Sequence, residues 1–422
     1  MNIFIKSFAA VVVLSSLSGS FLVAPTVTDA QKPDVRIKFH IETMGGGGRF
    51  PGQEILRIPK VQLAILLDTS GSMDGLIDQA RSQLWTIINE FAFMKQDGMV
   101  PDVEVALYEY GNDGIGKGEN WVREIVGLST DLDKISQELF ALSTNGGEEY
   151  CGAVIRSAVG SLKWSTHKDD YRAIFLAGNE AFTQGGVAWD EQCKAAIKAG
   201  IVVNTIHCGS YDEGVSTKWQ AAALLADGSY MAIDHNSAVV HIESPQDKDI
   251  LKFGEELNGT YIPYGKAGKE GLENQTAQDA NSDKAGSGSN VNRALQKKNH
   301  TYKNSRWDLI DAIDNKTIKL EDVKKEDLPE ALRELSTEDL KKHIDKKREE
   351  RAELKKKLGE LEIKRNKFVA EKRKESADGE ETLDEAMIKA INKQAGKRNF
   401  KKEVPATEKK ERPAEKTEEV EK

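Results

Sequence analysis

The segment that decides the fold is Val61-Gln-Leu-Ala-Ile-Leu-Leu-Asp68-Thr-Ser70-Gly-Ser72. It begins as an apolar run, which is typical of a strand buried on both faces of a parallel sheet. Gly71 then lets the chain fold back in a tight turn. This turn would bring together the Asp68 carboxylate and the Ser70 and Ser72 hydroxyls, and hard oxygen ligands of this kind suit Mg²⁺ or Mn²⁺. The alternative is a polar turn that only caps the next helix.

An amphipathic helix is predicted directly after this turn, from about Leu76 to Phe93. In this strand–turn–helix context, Asp68, Ser70 and Ser72 resemble the metal-ion-dependent adhesion site of the von Willebrand factor type A (VWA) family. The resemblance implies an α/β fold with a doubly wound, mostly parallel six-stranded sheet. It also implies that a divalent metal, Mg²⁺ with Mn²⁺ or Ca²⁺ as substitutes, helps to hold a protein partner.

The pattern from Val61 to about Asp234 agrees with this fold, because predicted strands and helices alternate along it. One exception is the pair Val103–Tyr110 and Trp121–Val126, which a glycine-rich loop joins as a hairpin. One edge strand is therefore expected to be antiparallel, as the VWA resemblance also implies. A final helix near Asp247–Leu257 would close a domain spanning residues 61–262.

The whole chain has room for two or three domains, since it has 422 residues. Its hydrophobic content of 39% supports a core, but 31% of the residues are charged and the charge becomes dense after Asp314. The net charge of −9 gives no general attraction to nucleic acid or to anionic membranes. We therefore expect no nucleic-acid partner, and the VWA resemblance implies a protein partner instead.

Residues 1–30 have the shape of a secretory signal peptide. Lys6 precedes a short run of small and apolar residues, and cleavage is predicted after Ala30. No later stretch is apolar enough to span a bilayer. The mature protein is therefore expected to be exported, periplasmic or extracellular, with residues 31–60 forming a strap onto the main domain.

The region after the predicted domain divides into three parts. Residues 263–300 are rich in small polar residues and are predicted to be a linker, in which Glu270–Ser282 could form a short polar helix. Residues 301–395 are predicted to form a helical arm, and residues 396–422 a disordered charged tail. The long helix of the arm has a heptad seam of six apolar and three cationic positions, which makes a poor two-stranded coiled coil: Leu340, Ile344, Lys347, Arg351, Leu354, Leu358, Leu361, Arg365 and Phe368.

This arm leaves two arrangements open. It could self-associate through the seam, in a partly coiled-coil assembly. It could also fold as an antiparallel hairpin, with Leu383, Met387 and Ile391 as the returning face.

The VWA resemblance implies two further metal-binding loops, and both differ here from the family pattern. Where the family has a threonine after a glycine pair, this chain has Glu148, with Thr144 as the alternative ligand. Glu148 could instead only cap the following helix. Where the family has an aspartate, this chain has Gly178, so Asn179 or Glu180 would have to replace it.

Three cysteines, Cys151, Cys193 and Cys208, occur in the chain. The topology allows a disulfide between Cys193 and Cys208, and the alternative is three buried thiols. No nucleophile–base arrangement can be assembled, so the sequence predicts a non-enzyme. Two functions remain: a protein-binding VWA module that uses the metal site, or an envelope assembly factor that acts through its helical arm.

Overall fold

The apolar run forms the central strand of a six-stranded sheet in the computed structural model, which describes residues 57–234, 241–375 and 383–402. The sheet order is β4-β3-β1-β5-β6-β7, and all neighbours are parallel except β3 and β4. A separate two-stranded sheet pairs β2 with β8. The strands are β1 (Lys60–Asp68), β2 (Met94–Gln96), β3 (Asp102–Tyr110), β4 (Val122–Ser129), β5 (Tyr171–Gly178), β6 (Val202–Cys208), β7 (Tyr230–Ile233) and β8 (Phe400–Lys402).

Helices cover both faces of the large sheet and form a further layer outside it. They are α1 (Asp74–Glu90), α2 (Leu132–Ala141), α3 (Cys151–Ser161), α4 (Trp189–Lys198), α5 (Tyr211–Ser216), α6 (Trp219–Leu225), α7 (Asp247–Asn258), α8 (Gly268–Lys284), α9 (Ser287–Lys298), α10 (Leu309–Asp314), α11 (Glu330–Arg333), α12 (Thr337–Glu375) and α13 (Leu383–Gly396). The predicted α/β fold with a doubly wound, mostly parallel sheet and a helical C-terminal region is thus confirmed. None of the described helices combines the length and the hydropathy needed to cross a bilayer.

The two faces of the sheet bury different cores because strand side chains alternate between them. Along β1, Leu63 and Leu67 point into one core, while Ala64 and Leu66 point into the other. The core of Ala64 and Leu66 is covered by α3, α4 and α6, and we call this side the local face. The core of Leu63 and Leu67 is covered by α1, α2 and α13, and we call this side the closing face.

The helix α13 comes from far along the chain to complete the closing face. Met387, Ala390 and Ile391 are buried in the same core as α1, and β8 then pairs with β2. The sequence allowed α13 to return along the long helix α12, but its apolar side packs on the sheet domain. The predicted disordered tail is also wrong over Phe400–Lys402, which form β8; residues 403–422 of that tail lie outside the described residues.

The segment predicted as a linker, 263–300, contains two packed helices, α8 and α9. The first of them, α8, covers the short polar helix that the sequence allowed at Glu270–Ser282, whereas α9 was not expected. The contacts that α8 and α9 make with α1 and α2 are largely polar. Trp85 Nε1 donates to Ser282 Oγ at 2.8 Å, and Arg293 pairs with Asp133 at 2.6 Å. Both Arg293 and Asp133 are buried. Because α8 and α9 bury polar side chains, their amino-acid composition is similar to that of a linker.

Six of the nine positions of the predicted α12 seam are buried within this chain. Leu354 and Leu358 share a core with α7 and α9, and the seam cation Arg351 bonds Asp308 at 2.7 Å and the carbonyl of Thr260 at 2.8 Å. Arg365 likewise pairs with Asp247 of α7, whereas the third seam cation, Lys347, pairs with Glu350 of α12 itself. Most of this seam is therefore unavailable to another copy while α12 stays docked.

Two further predictions concern the N-terminal part of the chain. The signal peptide predicted for residues 1–30 lies outside the described residues. Residues 31–56 of the predicted strap lie outside them as well. The last part of that strap is described: Lys60 N donates to Asp170 Oδ1 at 2.8 Å, and Arg57 pairs with the same carboxylate.

Candidate functional site

The turn after β1 holds its three predicted ligands close together. Asp68 is fully buried, and its Oδ1 accepts a hydrogen bond from the Ser70 amide at 2.8 Å. The hydroxyl oxygens of Ser70 and Ser72 lie 3.4 Å apart. One carboxylate and two hydroxyls thus converge at the carboxyl end of the central strand, as the sequence predicted.

The second loop brings Glu149 into the site. Glu149 is 7% exposed, whereas Glu148 is exposed to solvent. Thr144, the alternative ligand, donates its hydroxyl hydrogen bond to Asp74. The loop is anchored by bonds from Asn145 N to the carbonyl of Thr69 at 3.0 Å and from Glu149 N to Gln184 Oε1 at 3.0 Å. The second carboxylate of the site is therefore one residue later than the sequence alignment favoured.

Close glycine packing explains why this loop fits against the first turn. Gly111 has a φ of +81°, and a methyl group there would lie 2.8 Å from Asp68 Oδ1 and 2.9 Å from Glu149 Cγ. A methyl on Gly147 would lie 2.5 Å from the Gly111 carbonyl oxygen. These two positions admit only glycine if Asp68 and Glu149 are to face each other.

The third loop contributes Asn179, and Gly178 leaves no room for the family's aspartate. A methyl on Gly178 would overlap the Tyr110 hydroxyl and lie 2.9 Å from Asp68 Oδ2. Asn179 Nδ2 donates to Ser72 Oγ at 3.2 Å, while its Oδ1 is buried without a hydrogen-bond partner. Glu180 is exposed and lies near enough to Glu149 to raise the pKa of that carboxyl.

Burial and like charge make the two carboxyls hard to ionise together. Desolvation, with the negative charge of Asp68 as the next cause, raises the pKa of Glu149 to about 8. Desolvation also raises the pKa of Asp68 to about 6, although hydrogen bonds from Ser70 work in the opposite direction. A cation between the two groups would favour their ionised forms and remove this repulsion.

The unpaired oxygen atoms test whether a divalent metal suits these residues. Asp68 Oδ2, Glu149 Oε2 and Asn179 Oδ1 are all buried without a hydrogen-bond partner, which is a costly state for a polar atom. With the serine hydroxyls they make an all-oxygen donor set, as Mg²⁺ prefers. Among the described residues, no group of three or more His, Cys, Asp or Glu side chains is placed to hold a metal. The donor set fits a hard cation that accepts hydroxyl and amide oxygens.

The predicted disulfide is wrong, since all three cysteines are free and buried. Cys193 lies in the core of the local face and Cys208 in the core of the closing face. The sheet separates the two thiols, because Cys208 projects from β6 to the side opposite α4. Cys151 borders the site instead, with its Sγ 4.0 Å from the Tyr110 hydroxyl.

The sequence missed two residues of the site, Glu149 and Tyr110. Glu149 stands next to the predicted Glu148, and the close packing of Gly147 on Gly111 decides which carboxylate points inward. Tyr110 is the last residue of β3, and its hydroxyl donates to the carbonyl of Ala177 at 3.0 Å. Its place beside the site depends on strand register, for which the sequence carried no signal.

Comparison with known proteins gives matches among solved structures only. No family model and no curated protein matches the chain. The VWA domain of SpRpn10 is 15% identical, with 44% of this chain and 100% of that chain covered and a TM-score of 0.32. An aerotolerance-related membrane protein from Bacteroides fragilis is 20% identical, with 42% and 93% covered and a TM-score of 0.29.

A third match is the pilus adhesin SpaC from Lactobacillus rhamnosus GG, at 15% identity, 43% and 28% coverage and a TM-score of 0.33. Identities and TM-scores this low carry no argument about function. The fold described above therefore rests on the strand order and the helix packing of this chain, and the function has to be argued from its site.

Proposed function

We propose that this protein is an exported binding module with a divalent cation in the site of Asp68, Ser70, Ser72 and Glu149. It holds a protein partner at the surface formed by the loops at the carboxyl ends of the strands, which we call the strand-end face. Asn179 supplies a fifth oxygen. The observation that carries the proposal is the group of buried, unpaired oxygen atoms on Asp68, Glu149 and Asn179. When bound, the cation would supply the positive charge that these oxygens lack. The VWA resemblance of the first turn supports the same reading.

The site chemistry gives Glu149 a specific role in this proposal. Two carboxylates neutralise a divalent charge more fully than one carboxylate and several hydroxyls. The bound cation would therefore attract an acidic partner group less strongly than a site with a single carboxylate. A carboxylate of the partner is therefore a less favoured ligand for this cation than it would be for a cation held by a single carboxylate.

The second function, an envelope assembly factor that acts through the helical arm, has less support. The apolar side of α12 is covered by α7 and α9, so the exposed part of that helix is mainly charged. We assign no catalytic step to the protein, because the proposal needs none. Export remains part of the proposal, and the mass of the mature N-terminus in the native host would test cleavage after Ala30.

Thermal unfolding of the full-length mature protein tests the metal site. The protein is treated with EDTA and then titrated with Mg²⁺, Mn²⁺ or Ca²⁺, as wild type and as Asp68→Asn. A cation that binds only the folded state raises the unfolding midpoint, by an amount that grows with its concentration. We expect this rise in wild type and its loss in Asp68→Asn.

Three further variants sharpen the test. Glu149→Gln should also lose the rise, while Glu148→Gln should keep it, because only Glu149 faces Asp68. Asp322→Asn, an exposed carboxylate of the C-terminal helical region, serves as the matched control. A wild-type midpoint that no cation moves would reject the metal site, and loss of the rise in Glu148→Gln but not in Glu149→Gln would reject the assignment of ligands.

A further inference from the structure

The loops at the carboxyl ends of the strands carry a strong negative charge. Together with the last residue of β1 and the first residues of α1 and α5, they contain nine carboxylates and one cationic side chain, Lys117, in residues 68–74, 111–121, 142–150, 179–188 and 209–213. This count leaves out the loop after β7, which the structure describes only in part. The loops at the opposite edge contain six carboxylates and five cationic side chains, in residues 57–60, 97–102, 130–131, 163–170, 198–201 and 226–229. The negative charge is therefore concentrated on the edge of the sheet that holds the candidate site.

Part of this charge surrounds the site without taking part in it. Asp113, Glu148 and Glu180 are exposed, and they stand on the three loops that border Asp68 and Glu149; we call these three carboxylates the acidic rim. The unpaired buried oxygens of Asp68 and Glu149 at the centre are an independent sign that this face takes a positively charged ligand. A divalent cation bound there would neutralise the centre but not the rim.

Two features beside the rim fit the side chain and the backbone of a peptide. The Trp121 and Tyr150 rings pack edge to face with centroids 5.2 Å apart, and Trp121 Nε1 donates to Asp113 Oδ1 at 3.3 Å. Aromatic rings next to a carboxylate favour an ammonium or guanidinium group. A groove of about 640 Å³ runs from Thr144 and Asn145 towards β4 and α2. Its charged lining consists of three glutamates and Arg123, which pairs with one of them, Glu109.

From these observations we infer that the partner of the strand-end face is a protein that presents a basic segment, with lysine or arginine side chains against the acidic rim. The inference rests on the proposal that this face binds a protein. It names the chemistry of the partner, which presents basic side chains rather than an acidic group to this face. Charge complementarity of this kind governs which partners are excluded and how fast the correct one associates.

Binding of labelled peptides to the full-length mature protein tests the inference. Two fluorescent peptides of equal length are compared by fluorescence anisotropy, one of alternating lysine and serine and one of alternating glutamate and serine. Each is measured with Mg²⁺ and with EDTA, at low and at high salt. We expect the lysine peptide to bind, more weakly at high salt, and the glutamate peptide not to bind.

Two triple variants separate the rim from the general charge of the protein. The rim variant is Asp113→Asn, Glu148→Gln and Glu180→Gln. The control is Glu321→Gln, Asp322→Asn and Glu334→Gln, which removes the same charge from exposed positions in the C-terminal helical region. Binding of the lysine peptide should weaken about tenfold in the rim variant, corresponding to about 1.4 kcal/mol, and stay near the wild-type value in the control.

The inference is overturned if the rim variant binds the lysine peptide as tightly as the control does, if the glutamate peptide binds better, or if neither peptide binds. The unfolding midpoint with and without Mg²⁺ is measured on the same samples. A retained Mg²⁺ effect with no preference for lysine would reject the basic partner and leave the metal site standing. Lysine-specific binding without any Mg²⁺ effect would reject the metal site and keep the basic partner.

Discussion

The two faces of the sheet are built from different parts of the chain. The local face is covered by α3, α4 and α6, which alternate with the strands they pack on. The closing face uses α1 and α2 in the same way. Its third helix, α13, is separated from them in the chain by all the other helices, α3 to α12. One face is thus complete within residues 61–234, whereas the other depends on residues near the end of the chain.

This difference shows that the sheet domain is not independent of the region that follows it. Met387 and Ile391 of α13 share a core with α1 and the sheet, and α9 packs on the outer side of α1. A fully buried large apolar side chain contributes about 1.5–3 kcal/mol, while whole domains are stable by only about 5–15 kcal/mol. A fragment that ends at residue 262 would therefore expose much of the closing face.

The largest effect is expected from removing α13. Truncation after residue 382 should leave a protein that is largely unfolded or aggregated, because it uncovers the apolar closing face and removes the β2–β8 pair. Truncation after residue 402 keeps both elements and should unfold at the wild-type midpoint. Far-ultraviolet circular dichroism and urea unfolding of the two truncated proteins provide the measurement.

A single substitution in α13 provides a finer version of this test. Ile391→Ala should cost about 2–5 kcal/mol of unfolding free energy, since Ile391 is fully buried. The exposed Lys393→Ala on the same helix should change stability by less than about 0.5 kcal/mol. Equal stability of the two variants would mean that α13 does not close the sheet in solution.

The next effect concerns the polar contact that fixes α13 in place. Gln394 Nε2 donates to Asn204 Oδ1 at 2.6 Å, and Tyr171 donates its hydroxyl to Gln394 Oε1 at 2.9 Å. Gln394→Ala leaves buried polar groups unpaired and should cost about 1–3 kcal/mol. Hydrogen exchange should then speed up in α13 and α1 more than in α3 and α4. Equal acceleration of exchange on both faces would contradict the conclusion that only the closing face depends on α13.

A smaller effect is expected where the two faces meet. The Ser70 turn leads into α1 on the closing face, and the Glu149 loop leads into α3 on the local face. Because the pKa of Glu149 rises from an ordinary 4.5 to about 8 in the folded state, the folded protein holds a proton that the unfolded chain releases. In EDTA, the free energy of unfolding should therefore fall as the pH rises from about 4.5 to about 8, and it should level off above about pH 8.

Glu149→Gln should make this decline shallower, since glutamine has no proton to lose. Urea unfolding in EDTA at about pH 5 and about pH 8 measures the slope in both proteins. The difference in slope should be the same in a Gln394→Ala background, because Gln394 bonds Tyr171 and Asn204 rather than Asp68 or Glu149. An unchanged slope in Glu149→Gln would show that another group causes the decline.

The smallest effect, a shift of zero, is expected from reducing agent. Cys193 and Cys208 lie on opposite faces of the sheet, so reduction breaks no bond between them. The unfolding midpoint should be equal with and without dithiothreitol. A lower midpoint under reducing conditions, lost in Cys193→Ser, would show that a bridge forms and that the faces are arranged differently.

The sequence was sufficient wherever one segment dictated its own structure. The apolar run before Asp68 predicted the central strand, the alternation after it predicted the sheet, and the hairpin predicted the antiparallel edge. The spacing of Asp68, Ser70 and Ser72 placed three oxygens on one turn without reference to the rest of the molecule. Such features depend on neighbours along the chain, so local pattern is enough to predict them.

Tertiary packing decided what the local pattern left open. Whether Glu148 or Glu149 faces Asp68 depends on the close contact of Gly147 with Gly111, and the sheet itself separates Cys193 from Cys208. The helices α8 and α9 read as a linker because their buried sides carry polar residues such as Arg293, whose partners lie on α2. The sequence by itself determined the sheet and the turn that brings Asp68, Ser70 and Ser72 together. Only contacts between residues far apart in the chain decided the second carboxylate, the outer helical layer and the helix that closes the domain.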